Sequence, residues 1–173
     1  METFLDILKY ILPSLVVFFT AYVLIQSFLD SRHKNELVEI KRMDHEIILP
    51  LRLQSYERMV LLLERINPVQ AIFRVKQAEM SAAQLQSALT QSIREEYEHN
   101  IAQQIYISQE AWNQVRNARE EIIRLINSSF IDMKENSTAN DLAQAVIENW
   151  SRLDVNPTQK ALDFLKKEVA KLF

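Results

Sequence analysis

Glu96 and His99 stand three residues apart in the run Glu96-Tyr97-Glu98-His99. On a helix that step puts a carboxylate and an imidazole on one face, the half-motif from which ferritin-like di-iron sites are built. A complete site needs a second Glu-x-x-His step and two more inward carboxylates. The chain holds three histidines, His33, His45 and His99, and the nearest second match is Asp30-Ser31-Arg32-His33, inside a charged run. Half a motif is the ordinary signature of a solvated, salt-bridged helix face, here Glu95, Glu96, Glu98 and His99. No metal and no other cofactor is expected, with Glu96 and His99 the only candidate ligands.

Other chemistries lack their residues. Cysteine is absent, which removes thiolate nucleophiles, thiolate metal sites and disulfides. Glycine is absent too, where ordinary usage would give about twelve. Without glycine there is no phosphate-cradling loop, no dinucleotide fingerprint and no nucleophile elbow. The serines fall mostly at helix starts, where a hydroxyl has a capping role. Aspartates and glutamates are numerous, but nothing singles out an acid–base pair. A net charge of −3 gives no pull toward nucleic acid. These exclusions point away from an enzyme and leave no identifiable small-molecule substrate.

The side chains that remain are suited to contact. Trp112 and Trp150 each fall on the apolar stripe of a helix, as core anchors or as a partner surface. Leu37, Ile40 and Ile47 recur at helical spacing near the start. The last helix sets Lys160, Lys166, Lys167 and Lys171 among apolar positions, so it either docks on the body of the protein or lies on anionic lipid.

The element that positions all of these is the stretch Tyr10 to Leu29, YILPSLVVFFTAYVLIQSFL, twenty residues without a formal charge. A helix of that length rises about 30 Å, the thickness of the bilayer's hydrocarbon core. Tyr10, Ile11, Leu12, Leu15, Val16, Val17, Phe18, Phe19, Val23, Leu24, Ile25, Phe28 and Leu29 would face lipid. A signal peptide would have a basic start, a shorter apolar core and a small-x-small cleavage site, none of which is present. Lys9 stands alone before the stretch, while Arg32, Lys34, Lys41 and Arg42 follow it. Positive charge stays inside, which places the N-terminus outside and the rest in the cytoplasm. Asn127-Ser128-Ser129, Asn136-Ser137-Thr138 and Asn149-Trp150-Ser151 match the glycan acceptor pattern but would go unused there.

Beyond the anchor every signal is helical. Thr3-Phe4-Leu5-Asp6 has the capping-box form for the first helix. Pro50 is expected to break or sharply kink it. Leu49, Leu53, Tyr56, Val60 and Leu63 follow as a heptad-like stripe, and Val60-Leu61-Leu62-Leu63 is apolar on every side. Asn67-Pro68 starts a short helix to Ala78. Ser81-Ala82-Ala83-Gln84 opens a long helix to about Ile107, with Leu85, Leu89, Ile93, Tyr97, Ile101 and Ile105 at strict four-residue steps. Ser108 caps the next, to about Ile131, with Trp112, Val115, Ala118, Ile122, Leu125, Ile126 and Ser129 inward. Asp132 to Ser137 is a loop. Thr138-Ala139-Asn140-Asp141 opens a fifth helix, and Asn156-Pro157 starts the last.

The span, the run ILPLRLQSYERMVLLLERINP at 48–68 and the run EYEHNIAQQIYIS at 96–108 resemble a family of uncharacterised Bacteroidota-type proteins with one membrane span. The resemblance implies a bacterial origin and an inner-membrane anchor, and carries no functional residues.

The expectation is therefore an all-α chain. Residues 1–30 form a transmembrane anchor and 31–66 a juxtamembrane helix or helices, kinked or broken at Pro50. Residues 67–173 form a helical bundle packing with 47–66. The expected function is a membrane-anchored, non-enzymatic scaffold or accessory subunit of a larger inner-membrane complex, acting through helix–helix contacts. Its partners would be the bilayer and a protein or a second copy of the chain. A di-iron-like oxidoreductase and a stator-like rod are the alternatives.

Overall fold

The structure is a computed structural model that describes the backbone of residues 2–172 and the side chains of residues 15–28 and 46–172. Six α-helices follow in order: α1 (Glu2–Ile66), α2 (Pro68–Val75), α3 (Ala82–His99), α4 (Gln109–Ile131), α5 (Ala139–Ser151) and α6 (Pro157–Val169). A 3-10 segment, Ile101–Ile105, joins α3 to α4. Among the described residues there is no strand, only an isolated antiparallel bridge between Ser81 and Thr138. The chain is all-α.

Two compact units divide it, Met1–Leu49 and Pro50–Phe173. The helix α1 runs through Pro50 without ending. Of the first unit, only the side chains of 15–28 and 46–49 are described, and all of 15–28 are exposed. Among the described residues no helix is long and apolar enough to cross a membrane. The predicted span falls partly outside them: the side chains of Tyr10, Ile11, Leu12 and Leu29 are not described, and neither is the Thr3–Asp6 box.

The second unit is a helical bundle. α4 packs against α3, α5 and α6, and α3 packs against α2 and α5. The core joins Met59, Leu62, Leu63 and Ile66 of α1 with Leu85, Leu89 and Ile93 of α3, Val115, Ile122 and Ile126 of α4, Leu142 of α5 and Leu165 of α6. Each of these side chains is fully buried, which contributes about 1.5–3 kcal/mol apiece.

The helix starts follow from local chemistry. Asn67 Oδ1 accepts from Val69 N–H at 3.0 Å, with Pro68 at the first position of α2. Asn156 Oδ1 does the same for Thr158 and Gln159 ahead of Pro157. Ser81 and Gln84 close both halves of a capping box, as do Thr138 and Asp141. The two bonds from Thr138 to the Asp141 carboxylate hold its pKa below the usual carboxylate value.

The helix ends are less local. α3 stops at His99, not near Ile107 as its pattern suggests. The buried Asn100 turns its side-chain amide back onto Glu96 O at 2.9 Å, and the 3-10 segment follows. Ile101 and Ile105 are consequently exposed, at 47% and 76%. α2 ends three residues earlier than expected, at Val75, ahead of a turn in which Glu79 takes a positive φ of 69°. A non-glycine residue there crowds its Cβ against the backbone. Replacing Glu79 by glycine is expected to stabilise the bundle by about 0.5–1 kcal/mol, after allowing for glycine's greater freedom when unfolded. Thermal unfolding checks this, and an unchanged or lower midpoint would refute it.

Candidate interaction surfaces

Glu96 lies in the last turns of α3, half-buried, and its Oε2 accepts from Arg65 Nε of α1 at 2.7 Å. His99, one turn on, is exposed. Among the described residues no three His, Cys, Asp or Glu side chains come together as a metal site would need. Glu96 thus ties the end of α1 to α3 through Arg65.

The two tryptophans part company. Trp112 is 5% exposed and stacks on Tyr97 with ring centroids 5.0 Å apart. The Arg119 guanidinium covers the Tyr97 ring at 4.1 Å. Burial raises the Tyr97 hydroxyl pKa, against the pull of Arg119 and Arg116. Trp112 is thus inside the bundle. Trp150 is half-buried against the core. Ile47 is 63% exposed, while the side chains of Leu37 and Ile40 are not described.

Three surface features were not foreseen. The first is an open cleft of about 780 Å³ between the α2–α3 and α4–α5 loops. Its polar groups are largely committed: Ser81 and Thr138 to their caps, Lys76 Nζ to Asn140 Oδ1 at 2.7 Å. The second is a mixed-charge cleft between α3 and α4, where Arg94, Arg119 and Arg124 stand among Glu98 and Glu120. The opposite charges leave it close to balanced.

The third is an apolar groove of about 660 Å³ between the end of α1 and α6. Leu53, Tyr56, Val60 and Leu61 make one wall, Leu165, Val169 and Ala170 the other. Glu57 stands on the first wall and Lys166 on the second. Leu61 is 61% exposed beside it. Tyr56 is 2% exposed, and its hydroxyl finds no hydrogen-bond partner of normal geometry among the described residues. Its pKa is raised, first by burial and then by the Glu168 carboxylate, with Arg52 and the Ser108 backbone opposing. What the groove offers is apolar surface to another apolar surface.

The expected α1 stripe holds in part. Tyr56 and Leu63 lie in the core, joined there by Met59, Leu62 and Ile66, while Leu53 and Val60 are half-buried. Four successive apolar residues at 60–63 fit several stripes, so they could not set the phase.

A family model, described as a family of unknown function, matches residues 2–172. No curated protein and no solved structure matches the chain.

Proposed function

We propose, for a chain that belongs to the family of unknown function DUF7935, that it is a membrane-anchored, non-enzymatic scaffold or accessory subunit of a bacterial inner-membrane complex. The observation that carries this is the side-chain exposure of residues 15–28. Ten large apolar side chains there, from Leu15 to Phe28, are 48–71% exposed. A helix that is apolar all round and exposed among the described residues suits lipid, not water. Its polar groups turn back on the helix: Thr20 Oγ1 donates to Val16 O at 2.8 Å, and Gln26 Nε2 to the Tyr22 hydroxyl at 3.1 Å. That is what a hydrocarbon surrounding demands. The flanking residues 10–14 and 29 continue the uncharged run to the length of a bilayer. The basic cluster Arg32, Lys34, Lys41 and Arg42 favours a cytoplasmic bundle and an outside N-terminus.

Fractionation tests it. Full-length protein should pellet with membranes, resist a carbonate wash and come out only in detergent. Deleting residues 1–30 should release it. Because the chain lacks cysteine, a single Glu135→Cys should stay unlabelled by an impermeant maleimide in intact cells and label after lysis. Full-length protein in the soluble fraction would overturn the anchor, and labelling of intact cells would overturn the orientation.

A second reading, a stator-like anchored rod, gains from one observation: α1 keeps its helical assignment for sixty-five residues, past Pro50. The compact unit from Pro50 onward weighs the other way.

A further inference from the structure

The charges on the α1–α6 groove select what fills it. Glu57 on the α1 wall and Lys166 on the α6 wall are both exposed, and neither makes an ion pair among the described residues. Of the residues lining the groove, the exposed charge on the α1 wall is Glu57 and that on the α6 wall is Lys166, with apolar side chains between them. We infer that the occupant is the same face of a second copy of this chain, the two copies related by a two-fold axis running along the groove.

The choice of axis follows from the charges. Two identical faces can meet about a two-fold lying in the plane between them, either along the groove or across it. An axis across the groove sets the α1 wall against the partner's α1 wall, so that acid meets acid and base meets base. An axis along the groove sets each α1 wall against the partner's α6 wall. Glu57 then faces the partner's Lys166, and the contact occurs twice by symmetry. Like charges brought together cost binding energy, so the second arrangement wins.

This arrangement also runs like helices of the two copies in the same sense. The charge argument stands apart from the anchored reading above, on which only the effective concentration depends. Confinement to one membrane raises the effective concentration, so a modest patch can suffice.

The test uses full-length protein in mild detergent. Light scattering over a concentration series should show a monomer–dimer equilibrium. K166E should weaken it about tenfold or more, and the double swap E57K/K166E should restore it. Glu57→Cys and Lys166→Cys proteins, mixed and treated with a short bismaleimide, should link to each other several-fold better than either links to itself. A strict monomer would overturn the inference, as would a dimer indifferent to K166E or efficient self-linking of Glu57→Cys. Membrane fractionation is read separately. Soluble protein that still dimerises through these residues would sink the anchor and leave the groove contact standing.

Discussion

A chain cut to begin at residue 67 will not fold, whereas one cut to begin at Pro50 will. The difference lies in the end of α1. Residues 50–66 supply Tyr56, Met59, Leu62, Leu63 and Ile66 to the core, each 0–2% exposed. At about 1.5–3 kcal/mol per buried side chain, their loss removes roughly 8–15 kcal/mol. A domain of this size holds about 5–15 kcal/mol in total, so the shorter fragment has nothing left. It also strands the Gln103 amide that Ser55 bonds at 2.9 Å and the Glu96 carboxylate that Arg65 covers. The fragment from Pro50 keeps all of these and matches a compact unit of the structure. Circular dichroism and thermal melts of both fragments decide it. A cooperative melt from the fragment beginning at residue 67 would show that α1 is dispensable.

Trp112→Ala should be the most damaging of single truncations, at about 3–5 kcal/mol. The side chain is 5% exposed near the start of α4, so truncation leaves a large cavity in the bundle. It also carries a second layer: Tyr97 stacks on it, and Arg119 stacks on Tyr97. An aromatic pair of this kind adds about 0.5–1.5 kcal/mol beyond its buried area. Trp150→Ala, at a half-buried site, should cost clearly less. Urea unfolding of the two variants provides the comparison. A midpoint for Trp112→Ala within 1 kcal/mol of the parent, or a larger loss for Trp150→Ala, would contradict this placement of the core.

The order of these two tryptophans could not be had from their positions, since each sits on a plausible stripe. What the chain does announce are its helix starts. Asn67-Pro68, Ser81 with Gln84, Ser108, Thr138 with Asp141, and Asn156-Pro157 all fall where the helices begin. A cap and the N–H it satisfies lie within three residues of each other, so the signal is complete in one short window. Helix ends depend on distant partners. Nothing between Tyr97 and Ile107 reveals that Ser55 takes Gln103, or that Arg52 Nε reaches Tyr106 O at 3.2 Å, contacts from some fifty residues away. Those contacts accompany the replacement of two helical turns by the 3-10 segment. Glu96 was equally opaque. Its neighbour His99 suggested a ligand pair, while its actual partner, Arg65, comes from another helix. The groove needs α6 laid beside α1, which no local pattern encodes. The charges that would dress its rims, Glu57 and Lys166, look like any others on a polar face.

The bridge between Ser81 and Thr138 ties two loops that are far apart in the chain. Ala82 N–H bonds Ser137 O and Ala139 N–H bonds Met80 O, each at 3.0 Å, at the very residues that open α3 and α5. Each helix therefore begins on a support that the other loop provides. A protease nick between Lys134 and Glu135 would loosen not only α5 beside it but the head of α3, well upstream. Damage in either loop spreads to both hairpins, and so the pair stands or frays as one hinge-pin of the bundle.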